Sequence, residues 1–344
     1  MRNVGVVSYR LGLVDGVSIE ARKWMDALRD LGWRVRTVAG EGPVDVTIRG
    51  LCAHDEGPVD VARLRDALAG CDLVIAENIL SLPMNPRARD AVAETLRSRS
   101  AIIHHHDLPW QRAHLAHEPD PPDDPAWLHV TINDLSRHEL HSRGIDAIRL
   151  YNHFDCDPPA GRREWTRRLL NVADDERVIL APTRAIPRKN IALAAEVALA
   201  SGALLWVLGP PEDGYDAEFS RLLGDLGDRQ RQGSPPGVTI EDAYAASDAV
   251  AVTSTWEGFG NPVMEAFVHE RPLVLHSYPV ARELLEMGFE VFSPEDPSTI
   301  ATEFEHPDLA RRQRNHRRVR QFLNLHDLPA RLDKILGTVP NGSR

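Results

Sequence analysis

Two glutamates bracket a glycine-containing loop in Glu257-Gly258-Phe259-Gly260-Asn261-Pro262-Val263-Met264-Glu265. The apolar run Ala249-Val250-Ala251-Val252 precedes it, and Met264 to Val268 reads as a helix. A strand–loop–helix unit of this kind presents unpaired backbone N–H groups to an anion. Gly258 and Gly260 let a ligand approach the backbone, since no Cβ stands in the way. Pro262 suits the first helical turn, where its missing N–H costs little. Glu265 is expected in that same turn, pointing back toward the loop. A plain connection between a strand and a helix needs neither two glycines nor two carboxylates.

Other segments carry residue types suited to the same chemistry. Leu11-Gly12-Leu13-Val14-Asp15-Gly16-Val17-Ser18 brings backbone amides to the carboxyl edge of a sheet, where α/β folds bind ligands. A turn ending in a helix N-cap accounts for it equally well. The segment lacks G-x-G-x-x-G spacing, which speaks against a dinucleotide dehydrogenase. Ile103-His104-His105-His106-Asp107-Leu108-Pro109-Trp110-Gln111-Arg112 closes another apolar run. Alternate side chains of a strand face opposite ways, so His104 and His106 share a side. The sequence places no further metal ligand beside them. The expectation is therefore a histidine that hydrogen-bonds a substrate, with no metal bound. Ala181-Pro182-Thr183-Arg184-Ala185-Ile186-Pro187-Arg188-Lys189-Asn190 sets Arg184 and Lys189 ahead of an expected helix, Ile191–Leu199. Two cations beside a helix N-terminus form a cradle for a diphosphate. Gly237 to Tyr244 can frame a nucleotide base or be an ordinary surface turn.

The elements that must position these residues follow from periodicity. A chain of 344 residues is comfortable for two domains. Short apolar runs alternate with amphipathic segments, the pattern of parallel sheets built from βαβ units. A first series of strands is expected at Val4–Ser8, Arg34–Val38, Asp72–Ala76, Ala101–His104 and Trp127–Thr131, with helices at Ser18–Leu31 and Arg87–Arg97. A second series is expected at Arg177–Pro182, Ala203–Leu208, Ala249–Thr253, Pro272–His276 and Glu290–Phe292. The linker between them is expected near 152–165. Asp308–Leu323 is helical in period, with Val319, Phe322 and Leu323 on a buried stripe. The arginines from Arg311 to Arg320 read as a solvated face rather than a contact for a polyanion or a membrane.

Composition narrows the function classes. The balance of 40 basic to 51 acidic residues argues against general nucleic-acid binding. Cys52, Cys71 and Cys156 are widely spaced, which suggests neither a disulfide framework nor a zinc site. Met1 to Ser8 enters a strand without the apolar region of a signal peptide. No apolar run is long enough to span a bilayer. The expectation is a cytoplasmic α/β protein.

In order along nearly the whole chain, Gly16, the strand-end histidines, Arg184 with Lys189, and the Glu257/Glu265 pair resemble the family-4 retaining glycosyltransferases of the GT-B fold. The resemblance implies two Rossmann-like parallel-sheet domains facing a central cleft. Residues 1–155 would form the acceptor domain, with a C-terminal helix at about 324–338 crossing back to it, and 165–322 the nucleotide-sugar domain. It implies that Glu265 holds the ribose and that Arg184 and Lys189 hold the diphosphate. Glu257 would stand near the donor sugar, beside the backbone of Gly258, Phe259, Gly260 and Asn261. His106, with His104 as second choice, would contact the sugar and complete a catalytic set with Glu257. Gly16 would face the donor. The family's paired glycines are replaced here by Asp15-Gly16, which turns Asp15 toward the acceptor. Glu77, Asn78, Asn85, Trp110, Gln111 and Arg112 are the other acceptor candidates.

Hydrolytic glycosidases need two carboxylates across the scissile bond, and Glu257 and Glu265 have other assignments. The implied reaction is a retaining transfer without a protein nucleophile, assisted by domain closure, in which a departing phosphate oxygen takes the acceptor proton. No cofactor is required, and Mg2+ has at most the part of a stimulating ion. Asp15-Gly16-Val17-Ser18 and His104 to Trp110 resemble a subgroup of actinobacterial (mycobacterial) GDP-mannose-dependent α-mannosyltransferases that make methylmannose polysaccharides or glucosylglycerate-type solutes. GDP-mannose and a carbohydrate acceptor are the implied partners, with a homo-oligomer left open. A UDP-glucose-dependent retaining α-glucosyltransferase, a sugar-nucleotide epimerase and a non-catalytic GT-B nucleotide-sugar-binding module compete. The intact set His106, Arg184, Lys189, Glu257 and Glu265 favours an active transferase.

Overall fold

Runs of four or five consecutive apolar residues are too short for helices and suit strands covered on both faces. The computed structural model describes residues 2–340 and 342. It folds as two units. Unit 1 holds the chain up to His153 and again from Leu325 onward, and unit 2 holds Phe154–Asn324. Each is Rossmann-like.

Unit 1 contains β1 (Asn3–Arg10), β2 (Arg34–Glu41), β3 (Val46–Thr47), β4 (Leu73–Glu77), β5 (Ala101–His105), β6 (Trp127–Thr131) and β7 (Ala147–Arg149). All pairings are parallel, in the order β3-β2-β1-β4-β5-β6-β7. The order reverses between β1 and β4, which is where an open α/β sheet offers a ligand crevice at its carboxyl edge. One face of the sheet packs under helices Val61–Leu68 and Pro86–Leu96 through Leu64, Leu68, Val92 and Leu96. The other is covered by helix Gly16–Asp30, which contributes Ala21, Trp24, Met25 and Leu28. Helix Leu328–Leu336 adds Leu328, Leu332 and Ile335 to that cluster, so the C-terminal segment is part of this core.

Unit 2 contains β8 (Val178–Ala181), β9 (Leu204–Val207), β10 (Gln230–Gln232), β11 (Ala249–Val252) and β12 (Leu273–Leu275), all parallel in the order β10-β9-β8-β11-β12. Here the reversal lies between β8 and β11. The charged stretch around Arg162 belongs to this unit. Arg162 pairs with Asp242 at 2.6 Å and Arg163 with Asp248 at 2.7 Å, which docks helix Arg163–Leu169.

Several expectations are corrected. No strand forms at Glu290–Phe292; Phe292 makes a single bridge to Val274. The backbone of Glu290 is taken instead by the Asn315 amide, which accepts from its N–H at 2.9 Å and donates to its C=O at 2.8 Å. The edge strands β3, β7 and β10 were not expected, because two or three residues, polar in β10, leave no apolar period to read. Along helix Leu309–Phe322 and its cap, Val319 and Leu323 are buried, but Phe322 is 37% exposed. On the largely solvated arginine face of that helix, Arg312 pairs with Glu303 at 2.8 Å, Arg314 with Glu290 at 2.7 Å, and Arg320 with Asp157. Among the described residues, no helix is long and apolar enough to cross a membrane.

Truncating Leu332 to Ala removes a fully buried side chain from the C-terminal helix, with an expected loss of about 2–5 kcal/mol in urea unfolding. A loss below about 1 kcal/mol would show that this helix is dispensable to the core of unit 1. His153 supplies a pH dependence. Burial, then the charge of Arg331, holds it down at about 4, against an ordinary 6.5. The unfolded chain therefore takes up a proton below 6.5 that the folded chain refuses until about 4. The contribution of His153 is constant above that window, and stability falls with pH through it by up to about 1.4 kcal/mol per pH unit. Urea midpoints at several pH values should show a shallower slope in His153→Leu than in the parent.

Candidate active site

The neighbouring positions of β8 and β11 bring together the two loops that leave them. Thr255 donates its N–H to Arg188 O at 2.9 Å, and Thr253 Oγ1 donates toward the carbonyls of Lys189 (3.0 Å) and Asn190 (2.9 Å). Thus tied, the loops place the Glu257 carboxylate against Lys189 Nζ, the Arg188 guanidinium at 3.0 Å and Ser254 Oγ. Glu257 is buried, at 8% exposure, as is Lys189 at 9%. Burial pushes the Glu257 acid up, but Lys189 and Arg188 reverse this and leave it below the ordinary range. Burial also lowers Lys189, against the pull of the Glu257 charge. Two cations thus share one buried carboxylate.

Gly260 makes the turn into helix Asn261–Val268 at φ 90°, and a Cβ there would lie 2.3 Å from the Tyr278 hydroxyl oxygen. Glycine is required on both counts. This left-handed turn starts the helix at Asn261, three residues before Met264. Pro262 is accordingly in the first turn, while Glu265 is the fifth helical residue and lies in the second, which corrects its expected place. Glu265 Oε2 accepts from the Tyr244 hydroxyl at 2.7 Å. Tyr244 is buried and stacks on His269 at 4.6 Å; burial and the Glu265 charge push its phenol well above the ordinary range. Gly237–Tyr244 is largely a helix start, where Thr239 and Asp242 form a capping box. Phe259 is buried with its ring stacked on Phe154 at 6.0 Å. Arg184 pairs with Glu212 at 2.6 Å and is half exposed. The guanidinium that joins Lys189 on Glu257 is that of Arg188, which sequence reasoning passed over although it adjoins Lys189.

In unit 1 the register sets Glu77, the last residue of β4, opposite His104 of β5. Partners in a parallel pair face the same side, and His106 follows two positions on. Glu77 Oε2 meets His104 Nδ1 at 2.9 Å and His106 Nε2 at 3.0 Å. Burial would raise the Glu77 acid, yet the two imidazoles hold it at about 2. Glu77, His104 and His106 are also of the types that ligate a transition metal. Their spacing is that of hydrogen bonds, with imidazole N–H groups rather than lone pairs turned to the carboxylate. His105 points away and meets His129 Nδ1 at 2.8 Å, while His129 reaches Asp123 at 3.1 Å. Asn78 adopts a left-handed φ of 58°, and its Oδ1 accepts from the backbone N–H of His106 (3.1 Å) and Asp107 (3.3 Å). Its amide oxygen is therefore engaged in shaping the strand end.

The other expected residues are spread around this edge. Asp15 caps helix Gly16–Asp30, accepting from Ser18 N–H at 3.2 Å and Ser18 Oγ at 2.7 Å. Gly16 has open space where a Cβ would go, whereas Gly12, at φ 75°, is the position that demands glycine. Trp110 donates from Nε1 to Glu139 at 2.9 Å and lies under the Arg143 guanidinium at 3.8 Å. Arg112 pairs with Asp107 at 3.0 Å. Asn85 caps helix Pro86–Leu96, and Gln111 bonds Glu139 and Ser136.

Comparison with known proteins agrees with this architecture. Residues 163–307 match the family model described as glycosyl transferases group 1. The mannosylglucosylglycerate synthase of Thermotoga maritima is 29% identical over 80% of this chain and 81% of its own length. That of Petrotoga mobilis is 25% identical over 84% and 86%. Among solved structures, the Anabaena protein HepE, determined with UDP and glucose, superposes with a TM-score of 0.77 at 18% identity, covering 98% of this chain and all of its own. Sucrose-phosphate synthase from Thermosynechococcus elongatus gives 0.75 at 14% identity, covering 98% of each chain. The fold is GT-B, and the chain is a glycosyltransferase.

The Glu257 cluster has a testable energetic signature. Glu257→Gln leaves the buried Lys189 and the partly buried Arg188 without their shared counter-charge, with an expected destabilisation of about 3–5 kcal/mol. Adding Lys189→Met removes one stranded cation and should restore a substantial part of that loss in a double-mutant cycle. Additive losses would show that the two side chains are not energetically coupled.

Proposed function

We propose that the chain transfers mannose from GDP-mannose to a hydroxyl of a glucosylglycerate-type acceptor, forming an α-glycosidic bond with retention. The observation that carries this reading is the pair of cations held by one buried carboxylate at the β8/β11 reversal. A surplus of positive charge beside the start of helix Ile191–Ala200 suits a nucleoside diphosphate. The synthase relatives support the sugar and the acceptor class.

In this reading Lys189, Arg188 and Arg184 take the diphosphate, and Glu257 turns from its cations toward the donor sugar. Gly258, Phe259, Gly260 and Asn261 line the sugar with backbone N–H groups, and Glu265, steadied by Tyr244, holds the ribose. Gly16 leaves room for close approach of the donor. His106 meets the sugar, with Asp15, Trp110 and Arg112 on the acceptor side. The bond from the anomeric carbon to the phosphate oxygen breaks as the acceptor oxygen bonds that carbon. The acceptor proton passes to the departing phosphate oxygen. Charge developing on the diphosphate is stabilised by groups already in place, which is where such a site gains most of its rate. The cations do this without a divalent metal, and Mg2+ is at most stimulatory.

Calorimetry with GDP, UDP, GDP-mannose and UDP-glucose tests the donor, followed by turnover with glucosylglycerate and NMR of the new anomeric centre. Tight GDP binding and an α-mannoside are expected. Response to UDP alone would overturn the donor, a β-product would overturn retention, and release of a free epimerised sugar would overturn transfer. Lys189→Ala should weaken donor binding by at least about tenfold, since a charge-assisted contact is worth about 1.5–3 kcal/mol. Full activity in Arg184→Ala or Glu265→Ala would remove those residues from the donor site.

A further inference from the structure

The Glu77 carboxylate is fully buried at the end of β4, and a single oxygen of it receives both histidines. An ionised carboxylate offers lone pairs and no proton, so His104 Nδ1 and His106 Nε2 each carry hydrogen. The two rings are otherwise unequal. His104 packs against two rings, Trp24 stacked with centroids 4.1 Å apart and His106 tilted at 4.4 Å. Its remaining nitrogen, Nε2, is buried without a hydrogen-bond partner. His106 retains 6% exposure, and its backbone N–H is pinned by Asn78. With Nε2 turned inward, Nδ1 is the ring nitrogen left to meet a ligand.

We propose that Glu77 is the positioning residue of the sugar-facing histidine: it holds His106 with Nε2–H turned inward and so presents Nδ1 to the donor sugar. This rests on the reading of His106 as the sugar contact. His104, stacked on Trp24, meets the same carboxylate oxygen and helps to fix it. A charged oxygen that orients an imidazole selects one tautomer and favours its protonated form, as an aspartate does for a catalytic histidine elsewhere.

The titratable and charged groups around His106 are Glu77 on β4, His104 on β5, Glu20 and Lys23 on helix Gly16–Asp30, and Asp107 with Arg112 in the following loop. Burial pushes His106 down, and the Glu77 hydrogen bond and charge, helped by Glu20 and Asp107, turn the balance upward. Glu20 is paired with Lys23 at 2.6 Å and Asp107 with Arg112 at 3.0 Å, which leaves Glu77 as the carboxylate in direct contact with His106.

Glu77→Gln keeps the volume and an acceptor oxygen but removes the charge. In the full-length protein, checked for folding by thermal unfolding, NMR titration of labelled histidine should show His106 titrating at lower pH than in the parent. Transfer measured with the donor found active should lose roughly 10–100-fold in kcat, with KM for the donor within about threefold, since orientation and protonation act on the reacting state. The alkaline limb of the kcat profile should move down in pH with the NMR midpoint. Glu77→Asp, which returns the charge on a shorter arm, should recover part of both and carries the same measurements if Glu77→Gln does not fold. A folded Glu77→Gln in which His106 titrates as in the parent overturns the proposal whatever the donor. A displaced titration in a protein that uses another donor upholds the Glu77–His106 coupling while the mannosyl reading falls.

Discussion

A carboxylate in a protein interior persists as an anion only where cations or hydrogen-bond donors are fixed around it. The contact of Glu257 with Lys189 and Arg188 is such a case, and unit 2 is arranged to make it. β8 and β11 are far apart in sequence but adjacent in the sheet, and the loops that leave them are laced through Thr253 and Thr255. Gly260 then turns the chain where a side chain would strike Tyr278. These features hold the charges in place, and under the proposed function such a preorganised site avoids the cost of assembling it during reaction.

Unit 1 solves a related problem with a different pair of groups. Its buried carboxylate, Glu77, is balanced by imidazoles rather than by permanent cations. A guanidinium keeps its charge at any ordinary pH, whereas an imidazole changes its charge with its surroundings. Unit 2 thus holds its buried carboxylate with fixed charges, and unit 1 with groups whose protonation state is set by their neighbours. Asn78 and Trp24 contribute by fixing the strand end and the inner ring.

Much of this was legible in the chain. Runs such as Val178–Ala181 and Ala249–Val252 read as buried strands because four consecutive apolar residues suit no other buried element so well. The helices showed through their period, expected at Ser18–Leu31 and Arg87–Arg97 and found at Gly16–Asp30 and Pro86–Leu96, where Asp15 and Asn85 prove to be their caps. The alternation of side chains set His104 and His106 together and His105 apart. What escaped was either short or non-local. The edge strands β3, β7 and β10 take their identity from a neighbour's backbone. Glu290 resembled a strand start until Asn315, from a distant helix, claimed its N–H and C=O. The helix at Asn261 began early because of one backbone angle at Gly260, which residue type permits but does not dictate.

The sequence by itself determined the two alternating series of strands and helices, the glycines at the turns after the strands, and the types of group available: paired glutamates, loop cations and strand-end histidines. These are local properties, set by side-chain volume, period and backbone freedom. Only the tertiary structure decided which charges meet. It chose Arg188 rather than Arg184 to join Lys189 on Glu257, gave Tyr244 to Glu265, and set Glu77 beneath His104 and His106. Those pairings depend on strand order and register, which bring together residues tens of positions apart. No spacing along the chain encodes such a contact, because it exists only once the sheet has formed.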